Sequence, residues 1–129
     1  MTTHASGTFE VNLTPQPAAP EEASVGRLLL GKQFSGDLIG HSAGQMLSVG
    51  TEVKGSAGYV ALERFSGTLH GRAGSFALQH SGTMDRGTPS LSVRVVPDSG
   101  TEQLIGLVGE MTIDAGAGHA YTFAYTLPE

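Results

Sequence analysis

The stretch GTLHGRAGSFALQHSGTM, residues 67–84, decides the fold. Around Gly71-Arg72-Ala73-Gly74 the residues alternate. Phe76, Leu78 and His80 share one face of the second arm, and Ser75, Ala77, Gln79 and Ser81 share the other. Period-2 alternation around a glycine-bearing turn is the signature of a β-hairpin. The same glycines and Arg72 would suit an anion-binding nest. No helix follows to add its N-terminal dipole, as phosphate-binding loops require, so the segment reads as a structural turn.

Working outward, the pattern repeats. Residues 8–13 (TFEVNL), 27–34, 45–51 and 58–69 alternate, as do 75–84, 91–96, 104–114 and 120–127. Turn signals separate them: Gly36-Asp37, the Gly40–Gly44 region, Asp85-Arg86-Gly87-Thr88-Pro89 and Pro97-Asp98-Ser99-Gly100. Pro15, Pro17 and Pro20 bar a strand and make residues 14–26 a connecting loop, with one helical turn at most at Pro20-Glu21-Glu22-Ala23. No segment carries a helical stripe of useful length. The predicted fold is all-β, a single domain over residues 1–129 built as an eight-stranded antiparallel barrel. Closure at eight strands removes free edges and leaves room for side chains or one small ligand. An open sandwich is the alternative.

Composition narrows the function classes. Glycine supplies 19 of 129 residues, about twice the usual ~7 %, without a collagen-like period. A net charge of −5 offers no basic face to phosphates, so no nucleic-acid partner is expected. The absence of cysteine excludes disulfides, thiol nucleophiles and thiolate metal sites. Five scattered histidines include no His-x-His pair, and no metal or cofactor is expected. The start, MTTHASGTFEV, has no signal-peptide pattern, and the longest apolar run is Leu28-Leu29-Leu30. A cytoplasmic protein with no membrane partner is therefore expected. The lack of tryptophan argues against lipocalin and avidin barrels.

Full-length motifs add a resemblance. HASGTFEV (4–11), FSGDLIG (34–40), GSAGYVALERFSGTLHGRAGSFALQHSG (55–82), VVPDSGT (95–101) and HAYTFAYTLP (119–128) resemble a bacterial family of small proteins of unknown function. That family is similar in fold to the allene oxide cyclase barrel shared with dirigent proteins. The resemblance implies an eight-stranded antiparallel barrel. Phe9-Glu10-Val11-Asn12 also looks like the Tyr-Glu-Ile-Asn stretch of the plant cyclases, whose Glu and Asn face the cavity. The cyclases place a cavity proline at longer spacing, whereas Pro15 comes three residues after Asn12.

These lines nominate a site. Glu10 and Asn12 share a face. If it points inward, they are the catalytic candidates, with Glu10 as acid or base. If it points outward, Phe9, Val11 and Leu13 are core. On the fourth strand either Glu63 or Arg64 must point inward, and Glu63 is assigned there with His80 or Arg94 as its partner. A place at the rim or in a subunit interface is the alternative. Phe76, His80, Tyr121, Phe123 and Tyr125 complete the ligand-binding set, His80 reading equally as a structural histidine. Three functions follow: a barrel binding a hydrophobic small molecule, an isomerase or cyclase using a cavity carboxylate, or a packed interaction module. Large apolar residues on both strand faces point to a homo-oligomer.

Overall fold

The turn at the centre of the quoted stretch is tighter than expected. In the computed structural model, which describes residues 2–17, 25–114, 116 and 118–128, β4 (Ala57–Leu69) and β5 (Arg72–Asp85) are joined by His70-Gly71 alone. Leu69 pairs with Arg72, and both turn residues have positive φ, 47° and 79°. That is the two-residue geometry whose twist matches the flanking strands. Arg72, Ala73 and Gly74 are strand residues. The His70 ring locks the turn to the rest of the barrel: Nδ1 lies 2.5 Å from the Tyr125 hydroxyl and Nε2 3.5 Å from Asp37 Oδ2. Of the hairpin's polar residues, His70 holds a corner together.

The remaining strands are β1 (Thr3–Pro15), β2 (Gly26–Gly36), β3 (Leu38–Gly50), β6 (Thr88–Val95), β7 (Val108–Asp114) and β8 (Ala120–Thr126). Each pairs antiparallel with its neighbours in sequence, and β8 pairs with β1, so the sheet closes into an eight-stranded barrel. Thr14, Pro15 and Gly26 belong to strands rather than to the expected loop. The helical turn considered at residues 20–23 lies outside the described residues.

Two expectations about strand extent fail, for different reasons. The region from Gly40 to Gly44 does not break β3. A Cβ on Gly44 would run into the carbonyl oxygen of Leu62 on β4, and one on Gly40 into that of Ser66. Glycine here lets neighbouring strands approach within a continuous ladder. At the other misjudged place, β7 begins only at Val108. The preceding chain forms a short 3-10 helix, Glu102–Leu104, and drives Leu104 and Leu107 into the barrel end, where both are buried.

The barrel therefore has two unlike halves. In the half closed by Leu104 and Leu107, an aromatic chain fills the interior: Phe34–Phe65, Phe65–Phe76 and Phe76–Phe123 ring centroids are 5.0–5.8 Å apart. Leu38, Leu69 and Leu78 complete that packing. The other half is open. On the outside, Leu29, Leu47, Val60 and Leu62 are exposed on three adjacent strands, with Leu47 directly opposite Val60. None of the described helices is long and apolar enough to cross a membrane.

Candidate functional site

Alternation decides what each strand sends inward, and four adjacent strands send something polar. On β2, Leu28, Leu30, Lys32 and Phe34 share the inner face. On β4 the inner row is Tyr59, Ala61, Glu63 and Phe65, and on β5 it is Phe76, Leu78 and His80. β3 adds Ser42. These four, Lys32, Ser42, Glu63 and His80, are the buried polar side chains of the described residues, and they meet in one layer. Glu63, 2 % exposed, is its centre. Oε2 accepts from Lys32 Nζ at 2.8 Å and lies 2.6 Å from His80 Nε2, while Oε1 accepts from Ser42 Oγ at 2.6 Å. Lys32 Nζ also lies over the Phe9 ring, 4.6 Å from its centroid.

Burial pushes the Glu63 carboxyl up. The hydrogen bond from His80, the charge and hydrogen bond of Lys32 and the hydrogen bond from Ser42 outweigh it and hold the group at about 2, below its ordinary 4.5. Glu63 is thus an ionised carboxylate and a poor acid or base near neutral pH. Its charge fixes the neighbours: the ring nitrogen facing an ionised oxygen carries a hydrogen, so His80 donates through Nε2.

Above this layer lies a cavity of about 810 Å³, opening at the end of the barrel away from Leu104. Phe9, Val11, Leu30, Met46, Ala61 and Ile113 line its walls, Lys32 and His80 its floor. Leu13, Met84 and Leu91 form an apolar, exposed rim. A second hollow of about 620 Å³ sits on the outer wall, where β6 and β7 share only the Val93–Met111 and Arg94–Glu110 pairs.

The nominated residues divide. Glu63 and His80 come together as expected. Arg94 does not join them; it is outside, 3.4 Å from Glu110. Glu10 and Asn12 are exposed on the outer face, because Phe9 and Val11 face the interior, so the inward geometry considered for them is corrected. Phe76, Tyr121, Phe123 and Tyr125 do point inward, yet none lines the open cavity. They fill the closed half. Tyr121, for instance, donates to the Ser35 carbonyl and accepts from the Leu38 amide. Lys32 and Ser42 escaped the sequence reading. The signal for Lys32 was a lone polar residue in an inward row, Leu30-x-Lys32-x-Phe34.

The family model described as "Protein of unknown function (DUF3224)" matches residues 5–125. The chain belongs to the DUF3224 family. A solved structure of a DUF3224 protein of unknown function from Shewanella oneidensis MR-1 is similar, with 47 % identity and a TM-score of 0.92. The match covers 100 % of this chain and 99 % of that one. None of the curated proteins compared with the chain matches it.

For this DUF3224 barrel the depressed Glu63 value implies an acid-sensitive layer. Its contribution to stability is complete above the ordinary value of 4.5 and disappears as pH falls toward 2. The loss is on the order of 3 kcal/mol. Urea unfolding between pH 5 and 3 is expected to show a steeper decline in the wild type than in Glu63→Gln. Parallel declines would mean that Glu63 titrates alike in the folded and unfolded chains.

Proposed function

We propose that this protein is a small-molecule-binding barrel that holds a largely apolar ligand in the open half. The observation that carries the reading is the cavity of about 810 Å³ with apolar walls over a buried charged floor. Its size falls in the ~300–1,000 Å³ range of ligand pockets, and apolar lining with a few convergent polar groups is their usual make-up. A barrel serving only as an interaction module has no need to leave half its interior unfilled. The likeness to the allene oxide cyclase barrel is supported at the level of eight consecutive antiparallel strands. With Glu10 and Asn12 outside, a cyclase-like site would not use that pair.

One observation favours a second reading, an isomerase-type enzyme. Glu63 orients His80, and Lys32 stands beside them. A histidine held by a carboxylate can take a proton from a ligand while an ammonium stabilises the developing oxyanion. The base would then be His80. Turnover lost in His80→Gln with binding retained is the result that separates an enzyme from a carrier.

Native mass spectrometry of protein purified gently from its own host tests the first reading. A retained molecule at one per chain is expected, and it should be lost when Ala61 is replaced by Phe to fill the cavity. Retention by Ala61→Phe would place the molecule elsewhere. The same spectrum reports subunit number. We propose self-association through the outer face of Leu29, Leu47, Val60 and Leu62, an exposed apolar patch on three adjacent strands with Arg27 and Arg64 at its edges. Leu62→Glu is expected to return the protein to a 13.3 kDa monomer. A monomeric wild type would dismiss this part of the proposal alone.

A further inference from the structure

The cavity floor has hydrogen-bonding capacity that no described residue uses. Lys32 carries three ammonium hydrogens, and its protein acceptor among the described residues is the single oxygen Glu63 Oε2. His80 spends Nε2 on the same oxygen. Its Nδ1 has no partner among the described residues, yet no buried side-chain nitrogen or oxygen there lacks one. Nδ1 is therefore reachable from the cavity that His80 lines. In the neutral ring this nitrogen is an acceptor, since Nε2 bears the hydrogen. A complementary ligand offers an acceptor to Lys32 and a donor to His80, groups that share one carboxylate oxygen and so stand side by side.

Charge restricts the choice further. Glu63 and Lys32 already cancel. A bare carboxylate would add one unpaired negative charge beside side chains that are almost wholly buried, Lys32 at 5 % and Glu63 at 0 % exposure, which is unfavourable. A carboxylic acid with its proton meets both demands. The carbonyl oxygen accepts from Lys32, and the acid hydrogen lies between the second oxygen and His80 Nδ1. Whether that hydrogen rests on the ligand or on the ring, the complex holds one proton more than a free carboxylate and a neutral histidine.

We propose that the cavity binds apolar monocarboxylic acids, with the carboxyl group on Lys32 and His80, and takes up one proton from solution on binding. This rests on the cavity being the ligand site. The apolar rim of Leu13, Met84 and Leu91 suits the entry of an alkyl or aryl chain. The other titratable groups facing the cavity are Tyr59 on β4, Asp114 at the end of β7 and His119 before β8. Burial and the neighbouring Glu63 push the Tyr59 hydroxyl up, so it stays neutral. Asp114 and His119 sit toward the mouth, His119 stacked 5.2 Å from the Phe9 ring. β1 and β6 present Phe9, Val11 and Leu91, and β3 presents Met46 and Ser48, none of which titrates.

Octanoate and octanamide, equal in chain length, provide the test by isothermal titration calorimetry. The amide supplies acceptor and donor without a proton. Octanoate is expected to bind with uptake of about one proton, read from the difference between HEPES and Tris buffers. Its affinity should fall about tenfold per pH unit between pH 7 and 8, while octanamide binding stays level. In His80→Phe, which offers no acceptor in place of Nδ1, octanoate and octanamide should both bind about tenfold more weakly. In His119→Gln the uptake should persist. Octanamide binding without octanoate binding, or octanoate binding without proton uptake, overturns the inference and leaves the cavity reading standing. Uptake lost in His119→Gln, or octanoate affinity unchanged in His80→Phe, overturns it as well. Absence of heat with both ligands removes the inference and the cavity reading together.

Discussion

Glu63→Ala is expected to lower the unfolding free energy by about 3–5 kcal/mol, measured by urea denaturation at pH 7. The effect is large because of what remains. Lys32 keeps a charge that is almost out of water and loses its carboxylate, while His80 and Ser42 lose the acceptor for their hydrogen bonds. Removing one member of a buried ion pair costs far more than the pair itself contributes. Replacing the whole layer with apolar residues is therefore expected to restore most of the loss. The triple change Lys32→Met, Glu63→Leu, His80→Phe should unfold within about 1–2 kcal/mol of the wild type, or above it. It should also lose any ligand held on the cavity floor. Such a result would assign the layer to function, since apolar filling serves the fold as well. A Glu63→Ala variant as stable as the wild type would instead mean that water reaches Lys32 and solvates it.

The barrel was legible in the sequence because its determinants are local. Alternation places Tyr121, Phe123 and Tyr125 on one face, and the glycine turn signals near Gly71 and Gly87 fall between strands that pair residue for residue, although the first turn is His70-Gly71 rather than Gly71–Gly74. The face of β1 was not legible, because Phe9-x-Val11 and Glu10-x-Asn12 are both acceptable inner rows until the neighbouring strands are in place. Lys32 was hidden for a related reason. A lysine in a strand reads as solvent-facing, and only the row Leu30, Lys32, Phe34 betrays it. The extent of β3 was misjudged because glycine is both a breaker and a spacer. Whether Gly44 interrupts a strand depends on the Leu62 carbonyl arriving beside it. The division into a filled and an open half depends on where the chain between β6 and β7 goes, and no local pattern encodes that path.

Leu104→Ala is expected to destabilise the barrel by about 2–5 kcal/mol, the range for truncating a fully buried leucine. Leu91→Ala, at the mouth, should change stability by no more than about 0.5 kcal/mol. The residues have the same chemistry, so the contrast isolates position. Leu104 is sealed in the barrel end, packed where Gly74 leaves room for it; a Cβ on Gly74 would press on Leu104 and on the Thr101 carbonyl. Thr101 ties this plug to β5, with its amide donating to the Ser75 carbonyl at 2.9 Å and its hydroxyl accepting from the Ser75 amide at 3.0 Å. Because the plug carries its own hydrogen bonds, Leu104→Ala should remove packing without releasing the loop, leaving a cavity at the closed end. Ligand affinity at the far end should then change little, since the aromatic chain and the Glu63 layer lie between. Equal losses of stability from both leucines would mean that the open half collapses onto its rim in solution. A barrel whose closed half is packed solid can keep the other half open, with Lys32 and His80 facing the cavity.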